Sequence, residues 1–412
     1  MALGSRGDVQ PFITLAYGLT QAGHEALLVT NAIYTSLVKS YGLSLRPIAW
    51  DPRESMQIQS VMAEGNWRVK FDKGREFQRL LQNTYKDVER PVWEGCQDAE
   101  NLIYSFLPWG YSIVEKLGIP GLPVSLYPVY PTRFFPTQLM PLRLGRPLNL
   151  LSHYFAEQIL ELFLRKPISR LRENILHIPP MRFPLTTLGL LRQRNTPLLC
   201  NLSPTVISPP PDWPASVQMH GFWFLPEPPN WQPPADLVDF IHQVPQPVFI
   251  GFGSMVHQDL IKSGKIILQA LERSSQRAVV AKGCGEFTFN ARLAKEIFPV
   301  DDIPFSWLFP QMKGVVHHGG AGTTAFGLRA GVPEVVIPHM QEQPYWAQRL
   351  HHMGVSPKPI PVTRLTAEKL GQALVDISQD QKIIDKARHI GEQIRNEQGL
   401  SSTIRFIESY FH

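Results

Sequence analysis

Apolar positions repeat one pattern at two places along the chain. Met1-Ala2-Leu3 runs into Gly4-Ser5-Arg6-Gly7-Asp8, after which Phe12, Leu15, Ala16 and Leu19 recur at helical spacing as far as Gly23. Residues 24–30 then read as a second strand. Far downstream, residues 247–250 run into Gly251-Phe252-Gly253-Ser254. A helical set follows (Leu260, Ile261, Ile266, Ile267, Ala270, Leu271), and residues 278–281 are strand-like again. Strand, glycine-bearing loop, helix and strand, twice over, predict an α/β fold of two doubly wound domains with parallel sheets. The duplication is architectural, without a sequence repeat. The opening strand is short. A buried parallel strand usually has about 5–6 residues, and three precede Gly4, so a segment is expected upstream.

Proline marks the boundary between the halves. Residues 204–234 carry ten of the 38 prolines, which remove backbone donors and resist both helix and central strand. The expected organisation is an N-terminal domain over 1–215, a linker over 216–235, a C-terminal domain over 236–395, and a last helix over 396–412 packing back on the N-terminal domain. A second unusual region, residues 120–147, is rich in proline and aromatics. An amphipathic stripe follows it, with Leu151, Tyr154, Phe155, Ile159, Leu162 and Phe163 on one face and Arg165, Lys166, Arg170 and Arg172 at its end. Such a stripe ordinarily faces a core; with its basic end it also suits docking on a membrane.

Composition narrows this further. The 412 residues fit two domains of about 200 each, and 43% hydrophobic against 18% charged residues excludes global disorder. A net charge of +5 is mild; it fits anionic ligands or a membrane surface, and no nucleic-acid partner is expected. Cys96, Cys200 and Cys284 are odd in number and lack C-x-x-C spacing, so a reducing cytosol is the simplest home. No apolar run approaches the roughly 18 residues needed to span a bilayer. Arg6 and Asp8 stand where a signal peptide would be apolar. The expected location is cytoplasmic, with peripheral membrane contact as an extension.

The densest chemistry lies in Gly314-Val315-Val316-His317-His318-Gly319-Gly320-Ala321-Gly322-Thr323-Thr324. A short β-branched strand ends in two histidines, and three glycines let the backbone approach a ligand closely. The helix expected over residues 321–330 offers free N–H groups and the positive end of its dipole, which suit a diphosphate. The same pattern also serves a plain strand-to-helix turn with a packed histidine. A second motif, Val335-Val336-Ile337-Pro338, leads to Gln341-Glu342-Gln343-Pro344-Tyr345-Trp346. A carboxylate and an amide at the end of a parallel strand can hydrogen-bond sugar hydroxyls; alone, the pair also reads as a helix cap.

Five stretches in order resemble one family: GSRGDVQP near the start, IGFGS at 250–254, WLFPQ at 307–311, VVHHGGAGTT at 315–324 and EQPYWA at 342–347. Together they are similar to the UDP-sugar glycosyltransferases of family 1, in the branch of sterol 3-beta-glucosyltransferases and related bacterial enzymes acting on lipophilic acceptors. The resemblance covers nearly the whole chain. It implies a GT-B fold, in which two Rossmann-like domains face a central cleft, with a nucleotide sugar bound mainly by the C-terminal domain and an acceptor by the N-terminal one. His318 matches the family histidine that contacts the diphosphate, with Gly320, Gly322 and Thr323 at the loop and helix start. Glu342 and Gln343 match the pair holding the donor sugar, and Ser254 the serine facing the phosphates. Ile303 and Phe305 fall where relatives read the uracil. The usual Gly-Asp-Gln reads Gln341-Glu342-Gln343 here, which shifts the carboxylate by about 1.5 Å and leaves glucose as the expected rather than the fixed donor sugar.

Attack of an acceptor hydroxyl on an anomeric carbon needs a proton acceptor beside it. Asp8 is the only carboxylate in the first loop, and the resemblance implies it as the base, with Ser5 and Arg6 steering the donor. Asp8 also reads as the cap of a helix starting near Gln10-Pro11. His24 opens the second strand, at the wrong end of the sheet for a base. No Asp-x-Asp occurs, so the helix start is expected to replace a metal, and no cofactor beyond the UDP-sugar co-substrate is expected. Tyr127, Tyr130, Phe134 and Phe135 resemble the acceptor loop of the lipid branch and suit a greasy acceptor. The expected function is inverting transfer of a hexose from UDP-glucose to a lipophilic hydroxyl. The alternatives are a catalytically silent relative binding lipid or nucleotide, and a transferase using another NDP-sugar with a polyketide-like acceptor. A nicotinamide dehydrogenase is disfavoured, since neither glycine loop is a full G-x-G-x-x-G.

Overall fold

Short strands rich in Val, Ile and Leu and buried on both faces are the composition of parallel sheets covered by helices. The computed structural model describes residues 1–53, 67–106, 108–138, 145–181, 184, 186–253, 260–282, 295–339 and 342–411. They divide into two units, one built on Met1–Ser55, Arg75–Leu225 and Glu397–His412, the other on Met56–Gly74 and Pro226–Asn396.

The first unit runs α1 (Arg6–Gln21), β1 (Leu27–Asn31), α2 (Thr35–Ser40), β2 (Ser44–Ile48), α3 (Trp67–Cys96), β3 (Leu102–Ser105), α4 (Pro108–Leu117) and β4 (Gly121–Ser125). It continues with α5 (Arg146–Arg170), α6 (Thr187–Gln193), β5 (Leu198–Cys200) and β6 (Val217–Met219). Strands β3-β4-β5-β6 pair in parallel, as do β1 and β2. Residues 1–3 bridge the two sets. The Ala2 N–H donates to Val29 O at 3.1 Å, the Ser105 N–H to Met1 O at 3.0 Å, and the Met1 amine to Ile103 O at 2.7 Å.

Two expectations shift here. Helix α1 begins at Arg6, not near Gln10-Pro11, because Ser5 is its N-cap and Asp8 at the third helical position accepts the Ser5 N–H; Pro11 lies inside the helix. Val217–Met219, within the expected linker, is a strand paired with β5, Gln218 opposite Leu199. No proline lies between Pro214 and Pro226, so its N–H groups remain available for the ladder.

The second unit runs α7 (Ala235–His242), β7 (Val248–Gly251), α8 (Leu260–Ser274), β8 (Ala278–Ala281), β9 (Ile297–Val300), α9 (Phe305–Leu308) and β10 (Val315–His317). Then come α10 (Ala321–Ala330), β11 (Glu334–Val336), α11 (Gln343–Met353), α12 (Ala367–Gln379) and α13 (Gln381–Asn396). Its sheet is ordered β11-β10-β7-β8-β9, all parallel, with Val316 opposite Ile250 on one side and Val335 on the other. Ile250, Val280, Val316 and Val335 pack with Leu271 of α8 and Leu374 of α12, each worth about 1.5–3 kcal/mol when fully buried.

Helix α14 (Gly399–Phe411) belongs to the first unit. It lies so close to α1 that a methyl on Gly18 would come within 2.7 Å of Ile404 Cδ1. The Trp223 indole N–H donates to Thr403 Oγ1 at 3.0 Å, and Ser203 Oγ to Glu397 Oε1 at 2.7 Å. The stripe on α5 is the larger surprise. Leu151, Tyr154, Phe155, Ile159, Leu162 and Phe163 are exposed, while Asn149, Ser152, His153 and Glu157 are buried. Periodicity marks two faces but not which one is covered; here hydrogen bonding to the polar face decides.

Candidate active site

The turn into α1 closes on a carboxylate. Asp8 Oδ2 accepts from the Ser5 N–H at 2.8 Å and from Ser5 Oγ at 2.7 Å. Gly4 sits at φ +141°, where a Cβ would lie 2.5 Å from Asp8 Oδ2, so only glycine fits. Asn31 at the end of β1 accepts the Gly4 N–H on Oδ1 at 2.9 Å, and the Tyr34 hydroxyl donates to Gly4 O at 3.2 Å. Burial pushes the half-buried Asp8 carboxyl above its ordinary 3.8, and the Ser5 hydrogen bonds pull against that. Arg6 Nε donates to Gln10 Oε1 at 2.9 Å, which holds the guanidinium along the first turns of α1. Asp8 therefore acts as the capping-box acid through Oδ2. His24 pairs with Glu408 of α14 at 2.9 Å, ahead of β1 and away from this turn.

The turn into α10 closes on imidazoles. Gly253, at φ +61°, and Gly320 clasp the His318 ring: a Cβ on either would come within 2.8 Å of Cε1 or 2.5 Å of Nε2. These two glycines, far apart in sequence, both leave room for one histidine ring. Behind it, His317 Nδ1 accepts the Gly319 N–H at 3.1 Å, which puts the proton of the neutral ring on Nε2, 2.7 Å from Glu334 Oε2 on the neighbouring strand. Both residues of that pair are fully buried. Burial pushes His317 and His318 down to about 3, with His317 adding to the effect on His318, and pushes Glu334 well above 4.5. Both histidines are therefore neutral at physiological pH, and His318 offers a hydrogen bond without a titrating charge. Gly320 caps α10, and Gly322 borders open space, so the first N–H groups of the helix are approachable beside His318. Thr323 is half-buried in the first turn.

The remaining donor-site candidates divide. Glu342 is the N-cap residue of α11, and Gln343 Oε1 accepts the His339 N–H at 2.8 Å, fixing the end of the β11 loop. Phe305 stacks on Phe309 at 4.3 Å and meets Phe249 and Phe326 edge-on, so its ring packs within the unit; half-buried Ile303 precedes it. Ser254 lies outside the described residues. Among the described residues no group of His, Cys, Asp or Glu could hold a metal ion.

In the first unit the aromatic loop is held by residues that sequence reasoning passed over. Asp212 accepts from Thr132 Oγ1 at 2.6 Å and from the Arg133 N–H at 2.8 Å, and the Trp213 indole donates to Tyr130 O at 3.1 Å. Trp213 also meets the rings of Tyr130 and Phe135 edge-on. Tyr127 follows β4 and accepts from Ser125 Oγ on its carbonyl at 2.7 Å, while Phe134 is 47% exposed. The Asp212-Trp213 pair inside a proline cluster was the available signal. Glu334 gave none, since an acid after Val-Pro reads as the end of a turn.

One turn presents a neutral imidazole beside approachable helix N–H groups and the other a carboxylate, and known structures carry the same fold. The glycotransferase of kitacinnamycin superposes with a TM-score of 0.64 at 16% identity, covering 100% of this chain and 97% of that one. The glycosyltransferase VinC in complex with dTDP gives 0.64 at 18%, covering 99% and 98%. The fold is GT-B. Residues 1–136 match the glycosyltransferase family 28 N-terminal domain, and residues 266–399 the erythromycin biosynthesis protein CIII-like C-terminal domain. Over 99% of its length the chain is similar to sterol 3-beta-glucosyltransferases, 33% identical to that of Cryptococcus neoformans var. neoformans serotype D and 34% identical to that of Candida albicans. The resemblance read from the five motifs is borne out. The chain spans 27% of the length of each of these two relatives.

Proposed function

We propose that the chain is an inverting glycosyltransferase that moves glucose from UDP-glucose to the hydroxyl of a sterol or other lipophilic acceptor. The observation that carries this reading is His318, a neutral imidazole clasped by Gly253 and Gly320 beside the first turn of α10. A ring N–H and the helix N–H groups would neutralise the charge that builds on the leaving diphosphate. In the step, the acceptor oxygen bonds to the anomeric carbon, the bond from that carbon to the diphosphate oxygen breaks, and UDP departs with the electron pair. The acceptor proton passes to Asp8. Inversion follows from a single displacement.

Glu342 and Gln343 serve the sugar, Ser254, Gly322 and Thr323 the phosphates, and Ile303 and Phe305 the base. Tyr127, Tyr130, Phe134 and Phe135 serve the acceptor, and Ser5 and Arg6 steer the donor. A water-insoluble acceptor is met at a membrane surface, so peripheral membrane contact belongs to this reading; among the described residues no helix is long and apolar enough to cross one. The match of residues 266–399 to a domain named for erythromycin biosynthesis favours, as a second reading, another NDP-sugar and a polyketide-like acceptor. Radiolabelled UDP-glucose and dTDP-glucose, each incubated with a sterol and with a lipid extract, separate the two. Label from UDP-glucose in a sterol β-glucoside supports the first reading; label only from the thymidine donor supports the second, and no label from either refutes both.

A further inference from the structure

Helix α5 is built the opposite way round from an ordinary surface helix. Asn149, Ser152, His153 and Glu157 on its covered side each make at least one polar contact. Asn149 Nδ2 donates to Arg133 O at 3.1 Å, Ser152 Oγ accepts the Thr137 N–H at 2.9 Å, His153 Nε2 lies 3.0 Å from Phe135 O, and Glu157 pairs with Arg192 at 2.8 Å. The outer side carries Leu148, Leu151, Phe155, Ile159, Leu162 and Phe163, with Phe155 58% and Leu162 63% exposed. At 1.5 Å per residue this row runs about 22 Å along the helix. Single apolar side chains at a surface need no explanation, whereas a contiguous row marks a face that meets something.

The charges choose the occupant. The other exposed side chains of α5 include Arg146 and Lys166, one near each end, and no acid. A second copy laid antiparallel on this face would set Arg146 against Lys166, and a parallel one would set Arg146 against Arg146; either opposes like charges. An apolar strip with a cation at each end fits acyl chains beneath anionic headgroups.

We propose that the outer face of α5 seats the protein on an anionic phospholipid bilayer, with the 127–137 loop at the same edge. The bonds to Arg133, Phe135 and Thr137 tie the first turns of α5 to that loop, and the Arg146 guanidinium lies over the exposed Phe134 ring at 5.6 Å. The proposal rests on reading this loop as the acceptor's; it gives a lipophilic acceptor a path from the bilayer to the loop without crossing water.

The test is co-sedimentation of the full chain with phosphatidylcholine vesicles, with and without phosphatidylglycerol, beside a Phe155→Ser/Leu162→Ser double variant. Both positions are exposed, so the fold survives, which circular dichroism checks. The wild type pellets with the anionic vesicles and less with added salt, and the double variant partitions at least about tenfold more weakly. Arg146→Gln/Lys166→Gln weakens binding several-fold on anionic vesicles only. Transfer to a detergent-dispersed acceptor stays unchanged in the Phe155/Leu162 variant. A chain that binds vesicles through α5 yet transfers no sugar overturns the enzymatic reading and leaves the docking face standing. Equal pelleting of the double variant, no pelleting of the wild type, or a wild-type dimer by light scattering that the double variant abolishes overturns the docking face.

Discussion

The turn into α1 holds an acid whose burial raises its pKa, fastened by the Ser5 backbone and hydroxyl over a glycine at φ +141°. The turn into α10 holds a neutral imidazole for whose ring two glycines leave room; among the described residues its Nδ1 has no hydrogen-bond partner. The α10 turn follows β10 at the carboxyl end of a parallel strand, where open α/β sheets bind ligands; the α1 turn follows residues 1–3, which are not themselves a strand but hydrogen-bond to the chain at β1 and β3. In the proposed reaction the Asp8 carboxylate would take a proton, and the His318 imidazole would meet an anion without itself charging. Glycine performs one service in both, bringing a side chain against backbone that any Cβ would block. The difference lies in what stands behind the side chain: backbone and hydroxyl donors for Asp8, and the buried His317–Glu334 pair for His318.

The largest effects come from removing each side chain in turn. Asp8→Asn keeps size and leaves an amide oxygen to accept the Ser5 N–H of the capping box, so thermal unfolding should stay close to wild type while transfer falls about 10²–10⁴-fold. His318→Ala should lower turnover by about 10²–10³, the worth of one positioned donor at a developing anion. Near-full turnover in either folded variant, measured as sugar transferred to a sterol, would break that half of the comparison.

Next in size is stability. Gly320→Ala drives a methyl into His318 and should destabilise by about 1–3 kcal/mol, as overpacking does. An unchanged urea midpoint would mean that the ring has room to move.

Much of this was legible beforehand, and for a physical reason. The two glycine turns are local: strand, glycines, polar group and helix follow one another within a dozen residues, so the chain spells them out. What stayed hidden needed partners from elsewhere. Glu334 meets His317 across a strand pair, Asp212 reaches Thr132 and Arg133 from a proline cluster, and the covered side of α5 is decided by Thr137, Phe135 and Arg192. An apolar stripe of helical period cannot say whether core or solvent lies beyond it. Pro11 reads as a first-turn proline, but the Ser5–Asp8 capping box starts α1 five residues earlier and leaves the proline inside the helix.

Smaller effects appear in pH dependence. His317 and His318 are held near 3 in the fold against 6.5 when exposed. Below 6.5 the unfolded chain binds protons that the fold refuses, so their share of stability is full above 6.5 and drains away as pH falls towards 3. The slope reaches about 1.4 kcal/mol per pH unit per histidine. Urea denaturation of His318→Ala between pH 7 and 5 should show a shallower decline than wild type; an identical slope would mean that His318 titrates normally. Asp8 works in the opposite sense: its raised pKa places the acidic limb of kcat/KM above the ordinary 3.8, and Asp8→Asn should abolish that limb.

The most direct measurement is a calorimetric titration of UDP into the wild type, Asp8→Asn and His318→Ala. If the α1 turn serves the proton and the α10 turn the diphosphate, Asp8→Asn binds UDP within about twofold of wild type, while His318→Ala loses about tenfold or more, roughly 1.4 kcal/mol. UDP affinity that survives His318→Ala intact, or that falls with Asp8→Asn instead, would contradict the division of labour between the two turns.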